Sequence, residues 1–514
     1  MQMGLGNRIT GAARDPWHLP PGQLAPQQIA PGRPTWQVTR WPVDRAEYDH
    51  LVEAARQPDM MSFAAGSAVA DAAAPVTTTP TIGDNFDGVG RTALDPPDPA
   101  LAVGPDDVMT AVNAEFAIAS KSAPSALASV PFSALFGPVL PRDANFMFDP
   151  KLAYDHFAKR WIVIVGAKRE TPRGSWIMLA VSQTSDPRGS YYTWALDAAL
   201  DGTKVTANWA DYPTLGFDEQ AIYVAVNMFQ FGGPFQYTKL RILNKSEVYV
   251  APGAVAPALR WYDISVILNP DHRTVFTLQP AVHYRAARGP AYFVNALWPS
   301  GGALTVWTLT NPLNGWKTPP AAPAFTAASV ACQTYDLPPA AVQRGSATKI
   351  TTDDSRLLNA VYHGDGATKG LWTTHTSKFT WPGESEARAV AQWYQLDVTG
   401  SKVVQQGRYG APGVYHFFPA IQTIANGDAF MVFSRSSASD FPQLRATGRQ
   451  AADPPGTLSN SVVVQAGASA FPGTRWGDYF SVARDPGDEG VAWMVGEYVG
   501  PGGDWATRIC SVFF

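Results

Sequence analysis

Two stretches far apart in the chain repeat one arrangement of chemically able side chains. Trp209-Ala210-Asp211-Tyr212-x-x-Leu215-x-x-Asp218 lines up with Trp476-Gly477-Asp478-Tyr479-x-x-Val482-x-x-Asp485. Aspartates beside tyrosines can serve as an acid–base pair. They can also gather around Ca2+, a hard cation that takes oxygen ligands. Arg475 precedes the second stretch and can bond hydroxyls or carboxylates. Asp98 and Asp149 open comparable segments, and Asp149, Asp211 and Asp478 form the candidate calcium set. His283, beside Tyr284 and Arg285, and His416, in Val414-Tyr415-His416-Phe417-Phe418, occupy equivalent territory. The candidate catalytic residues are therefore His283, His416, Asp478 and Tyr479. The candidate ligand-binding residues are Arg475, Trp476, Asp211, Tyr212, Tyr284 and Arg285. Against this stands a structural reading, in which each Asp accepts backbone N–H bonds at a turn and each Tyr hydroxyl closes a loop.

Other chemistries leave no signature. The sequence has no His-Glu-x-x-His or Cys-x-x-Cys spacing for zinc, no Gly-x-Ser-x-Gly elbow and no Walker loop. With 39 Lys plus Arg against 43 Asp plus Glu and no basic run, nucleic acid is not an expected partner. No apolar stretch approaches the length of a membrane-crossing helix, so membrane insertion is not expected either. Cys332 and Cys510 allow one bridge or two free thiols and do not fix the compartment.

These residues must be positioned by strands. From about residue 97 the chain repeats a short opening strand, often led by proline at 99, 150, 213, 280 and 419, with Ala347 and Phe480 in the same slot. The interval is roughly 50 to 70 residues, the size of a four-stranded propeller blade with long loops. Each opening leads into an apolar run such as RWIVIVGAK, AIYVAVNMF or VAWMVGEYV, which fits a sheet buried on both faces. Seven openings predict one all-β propeller of about seven blades over residues 91–514. Residues 1–90 read as a Pro/Ala-rich arm with one short helix at Asp44–Gln57. The last blade has only three strands of its own, so a strand from the arm, Thr35–Trp41 or Val76–Ile82, is expected to close it.

Ser185-Asp186-Pro187-Arg188-Gly189-Ser190-Tyr191-Tyr192-Thr193-Trp194 resembles the Asp-box turn of sialidase-like propellers, and Asn311-Pro312-Leu313-Asn314-Gly315-Trp316 is a fainter echo. The repeated Asp-Pro openings and the segment 475–485 are similar to those of secreted bacterial propeller proteins. The resemblance implies the fold and an extracellular or cell-surface setting. The Asp-box itself is a folding element. The Arg-Ile-Pro motif of sialidases is missing near the first blade.

With 17 Trp among its 514 residues and no nucleophile signature, the chain reads first as an adhesive propeller binding a glycan or other extracellular polymer at its loop face. A carbohydrate-active enzyme, a glycoside hydrolase or polysaccharide lyase, is the alternative. A structural module docked through the arm is the third reading.

Overall fold

The computed structural model describes residues 2–5, 9–19, 40–58, 68–70, 78–144, 146–284, 289–364, 366 and 369–514. The chain forms two compact units. One comprises Met1–Pro34, Ala100–Val294 and Trp307–Ala328; the other comprises Thr35–Pro99, Asn295–Val306 and Ser329–Phe514.

The fold is all-β and of the propeller kind, built from antiparallel meanders that follow chain order. In the first unit one meander runs Ala100–Val103, Asp107–Val112, Glu115–Ser120 and Ala123–Pro131. The next runs Phe146–Asp155, Arg160–Arg169, Gly174–Ser182 and Tyr191–Asp197, and Ala12–Arg14 is added to its last strand. A third runs Asn208–Phe217, Ala221–Gln230, Phe235–Asn244 and Trp261–Ser265, with Gln2–Leu5 added in the same way. Arm segments thus cover edges that would otherwise present unpaired N–H and C=O groups. Ile162, Ile164, Ile177 and Leu179 pack against Ile222, Val224 and Val226, so adjacent sheets bury each other's faces. A further sheet has the strand order Gln279–Pro280, Ala291–Ala296, Gly301–Thr310 and Ala324–Tyr335.

In the second unit one meander runs Asn359–His363, Gly370–Phe379, Arg388–Asp397 and Lys402–Gly410. Another runs Val414–Thr423, Ala429–Ser437, Gln443–Arg449 and Val462–Gln465. The last comprises Ser481–Arg484, Ala492–Val499 and Trp505–Phe513, and its fourth strand is Thr81–Asp87 from the N-terminal region. That strand shares only Thr81 and Ile82 with the nearer expected segment. Of the other expected segment, Thr35–Trp41, residues 35–39 lie outside those described. Helix α1 (Arg45–Ala54) starts at Asp44, whose side chain accepts the Glu47 N–H.

The proline-led openings have a backbone cause. Asp98, Asp149, Tyr212 and Phe418, each preceding a proline, hold φ of 50–52°, the left-handed region that most side chains avoid. Ladder register slips just after three of them, between Phe148 and Lys151, Asp211 and Thr214, and Phe417 and Ala420. A β-bulge therefore marks these openings. In the fifth copy the expected opening at Ser346 is not a strand; the left-handed residue is Asp353 (φ 56°), and the sheet begins at Asn359. RLLNAVYH accordingly supplies the first strand of that sheet and not the second.

Candidate functional site

The second unit buries a cluster of carboxylates and guanidiniums drawn from four places in the sequence. Asp98, in the left-handed region, precedes the opening strand Ala100–Val103; Asp353, also left-handed, lies with Asp354 and Arg356 ahead of Asn359–His363; Arg475 and Asp478 lie in the loop before Ser481–Arg484; and Glu497 projects from the apolar strand Ala492–Val499. All seven are buried. Arg475 Nη2 donates to both oxygens of Asp478 at 2.8 Å. The Asp478 N–H donates to Asp98 Oδ1 at 2.7 Å, and the Gly477 N–H donates to Glu497 Oε2 at 2.6 Å. On the other side, Arg356 bonds Asp354 through Nε and Nη2 at 2.8 Å each, and its Nε lies 3.4 Å from Asp353 Oδ2. The Trp298 indole N–H donates to Asp354 Oδ2 at 3.0 Å.

Burial decides how these acids hold their protons. It drives the Glu497 carboxyl well above the usual range, and nearby Asp98, Asp95 and Asp478 push the same way against the Gly477 N–H bond. Glu497 Oε1 has no hydrogen-bond partner among the described residues. Burial also raises Asp353 to about 7, although Arg356 opposes it. For Arg475, burial works against the charge, but Asp478, Asp98 and Asp353 outweigh it and hold its proton more firmly than usual. The cluster thus sets a carboxyl of raised pKa, Glu497, beside the arginine-bound carboxyls of Asp478 and Asp354.

Of the residues expected from sequence, Arg475 and Asp478 belong to this cluster. Trp476 and Tyr479 flank it with almost no exposed surface. The Trp476 indole donates to Ser434 Oγ at 2.8 Å and packs edge-on against Phe471, so it offers no open face for a sugar. His416 is enclosed by Tyr409 and Phe433. In the other unit, His283 accepts the Tyr292 N–H at 3.2 Å and lies parallel to that ring. Tyr284 stacks on His156 with centroids 5.0 Å apart. Asp211 and Tyr212 are buried, with the Lys151 ammonium 5.0 Å from the centre of the Tyr212 ring. The Asp149 N–H donates to Asn113 Oδ1 at 2.8 Å. Arg285 lies outside the described residues.

Asp149, Asp211, Tyr212, His283 and Tyr284 belong to one unit, and His416, Arg475, Trp476, Asp478 and Tyr479 to the other. The proposed calcium set Asp149, Asp211 and Asp478 is divided in the same way. Among the described residues no group of three or more His, Cys, Asp or Glu is arranged to hold a metal ion. The aligned motif serves the repeat at its far end. Asp218 accepts the Gln220 and Ala221 N–H groups and the Tyr223 hydroxyl, while Asp485 accepts the Gly487 and Asp488 N–H groups and the Trp493 indole. The Asp-box-like turn is likewise local, with Asp186 Oδ1 accepting the Arg188 N–H at 2.8 Å.

Asp353, Asp354, Arg356 and Glu497 escaped the sequence reading. A polar Asp-Asp-Ser-Arg run directly before an apolar strand was one available signal. A lone Glu inside VAWMVGEYV was another, because acidic residues are rarely buried without a reason.

No family model and no curated protein matches the chain. Among solved structures it is similar to a Trypanosoma rangeli sialidase in complex with sialic acid, at 10% identity and TM-score 0.37, covering 71% of this chain and 54% of that one. It thus spans about half the sialidase's length. A Fusarium graminearum α-L-arabinofuranosidase with an iminosugar inhibitor shares 11% identity at TM-score 0.36, covering 85% and 98%. A Penicillium chrysogenum α-L-arabinanase complexed with arabinobiose shares 10% at TM-score 0.37, covering 84% and 99%. At these scores the likeness assigns this chain no activity. No helix among the described residues is long and apolar enough to cross a membrane.

Proposed function

We propose that this protein is an exported carbohydrate-active hydrolase whose chemistry resides in the Asp98, Asp353, Asp478 and Glu497 cluster. The carrying observation is Glu497: a buried carboxyl, its pKa raised by that burial, one residue's backbone away from the arginine-bound carboxylate of Asp478. Glycoside cleavage needs such a pair, one acid to protonate the leaving oxygen and one carboxylate to act on the sugar or on water. In this reading Glu497 is the acid, Asp478 the carboxylate, and Arg475 and Arg356 orient hydroxyls or a sugar carboxylate. The adhesive reading loses its stacking platform, since Trp476 and Tyr479 are packed inside.

The same proposal takes residues 91–514 as seven four-stranded blades and residues 1–90 as an arm. Six of the spaced openings, and the pairing of Thr81–Asp87 with Trp505–Phe513 as a closing strand, support that division.

The test is release of reducing ends from a panel of polysaccharides. Glu497→Gln and Asp478→Asn are each expected to lower turnover by about 10²–10⁴-fold, the usual worth of a general acid or base, while the melting profile stays cooperative. Turnover indifferent to both substitutions, or none on any polysaccharide with the cluster opened as described below, would sink the reading.

A further inference from the structure

We infer that Trp41 and helix α1 form a plug that caps this cluster and must withdraw before a substrate can reach it. The activity arm of the inference rests on the hydrolase reading; the accessibility arm does not. Trp41, Tyr48 and Ala55 are the buried residues of this segment; Leu51 and Val52 are half-buried, while Arg45, Ala46, Glu47, Asp49 and His50 face solvent. The two rings are stacked 3.6 Å apart at 9°, and the Arg45 guanidinium lies 5.6 Å from the centre of the Trp41 ring. With its cap at Asp44 and the Arg45–Asp49 pair at 2.8 Å, the segment holds its own shape.

What the plug touches gives it meaning. The Trp41 indole N–H donates to Asp353 Oδ1 at 2.8 Å, and the Tyr48 hydroxyl donates to the Asp353 carbonyl at 2.9 Å. Arg356 Nη2 donates to the Arg40 carbonyl at 3.4 Å. The Trp41 ring thus aims an N–H donor at a carboxylate and the Tyr48 ring an O–H donor at a backbone carbonyl, the kind of donors that a flat, hydroxyl-bearing sugar ring offers. The plug therefore occupies the cluster's Asp353 side as a substrate would.

Beyond the cluster, the Ala387 N–H donates to the Arg56 carbonyl at 3.0 Å, and Arg56 Nη2 lies 3.5 Å from the half-exposed Glu386. A ten-residue helix with one buried side chain is marginal by itself and depends on such anchors. The strand Thr81–Asp87, by contrast, is laddered into a sheet. The plug can leave while that strand stays.

The experiment compares the full chain with the double variant W41A/Y48A and with Y48F, by hydrogen exchange of the 351–357 segment, thermal melting and reducing-end release. The Arg356 N–H, bonded to Asp354 Oδ1 at 2.9 Å, is the internal reporter. Expected for the double variant is at least tenfold faster exchange there, cooperative melting retained, and at least tenfold more turnover. Y48F, which keeps the ring and loses one bond, should show a smaller rise in exchange. Faster exchange with no turnover on any polysaccharide upholds the plug and removes the hydrolase reading. Exchange unchanged in both variants, or loss of cooperative melting in W41A/Y48A with no rise in Y48F, overturns the plug: those rings then belong to the core.

Discussion

At the scale of single residues, two groups close in the structure answer pH in opposite senses. Asp353 is raised by burial to about 7, above its ordinary carboxylate value. The folded chain therefore binds its proton more tightly than the unfolded chain does. This group's stabilisation is fully present at low pH, fades as pH rises through the interval up to about 7, and is absent beyond. His375 is the reverse: burial lowers it to about 4, against the Ser355 carbonyl bond and Asp354. Its Nδ1 lies 2.6 Å from the Ser355 carbonyl, which accepts only, so Nδ1 carries the hydrogen, and Nε2 is left to accept from the Tyr394 hydroxyl at 3.0 Å. Its contribution is present above about 6.5 and lost as pH falls toward 4. Asp353→Asn should remove the first effect alone. Melting temperatures followed from pH 4 to 8 are expected to decline less, or to rise, in that variant relative to the parent. Parallel curves would show that Asp353 does not titrate in that window. A second substitution tests the loop itself: His375→Ala leaves the buried Ser355 carbonyl without its donor, a cost of about 1–3 kcal/mol in denaturant unfolding.

How much of this was legible follows from what each residue does. Arg475 and Asp478 stand in a motif that the chain repeats, and repetition is visible in a sequence. Asp353 was hidden because the slot was assigned by its proline, and the fifth copy has none there. Ala347 took the place that backbone conformation gives to Asp353. The repeated Trp and Tyr were visible but misread, because spacing cannot distinguish a ring packed between sheets from one offered to a ligand.

At the scale of elements, side chains of one meander secure the left-handed residue at the opening of the next, Asp149, Thr277 or Phe418. Asn113 Oδ1 accepts the Asp149 N–H, Asn227 Oδ1 accepts the Thr277 N–H at 2.9 Å, and Thr376 Oγ1 accepts the Phe418 N–H at 3.0 Å. A left-handed residue is costly unless its surroundings hold it, and these bonds supply that hold. Asn227 carries most, since its Nδ2 also donates to Thr277 Oγ1 at 2.8 Å and its Oδ1 accepts from Thr238 Oγ1 at 3.1 Å. Asn227→Ala should cost about 2–4 kcal/mol, as several buried polar groups lose partners together. Asn227→Asp, which keeps the acceptor and loses the donor, should cost less. If chemical denaturation shows the alanine variant within about 0.5 kcal/mol of the parent, the bond is incidental to the left-handed residue. Four-stranded meanders could be read from apolar runs and turns, whereas this cross-strand bonding joins residues some 35 to 50 positions apart and leaves no local trace.

At the scale of the whole molecule, the chain does not divide where it might be cut. Each compact unit is assembled from three separate stretches, and residues 35–99 belong with residues 329–514. This has a direct consequence for the cluster, because Asp98 supplies the acceptor for the Asp478 N–H, and Thr81–Asp87 covers the free edge of Trp505–Phe513. A fragment comprising residues 295–514 keeps Asp353, Arg356, Arg475, Asp478 and Glu497, yet lacks both contributions as well as Trp41 and Tyr48. Its last sheet would expose a strand whose residues include buried Trp505, Ile509, Cys510 and Val512, an open template for association. The fragment is therefore expected to aggregate when expressed alone. Supplied with residues 35–99 as a separate chain, it should recover solubility in size-exclusion chromatography and a cooperative melt. Rescue by a peptide limited to residues 78–99 would assign the effect to the strand and Asp98. Rescue that also needs residues 40–57 would make the Trp41–Tyr48 segment part of the folding unit, and would count against its role as a removable cap. A fragment that is soluble and cooperative with no added chain would show that neither contribution is needed, and that the apparent interleaving of the sequence is not an energetic one.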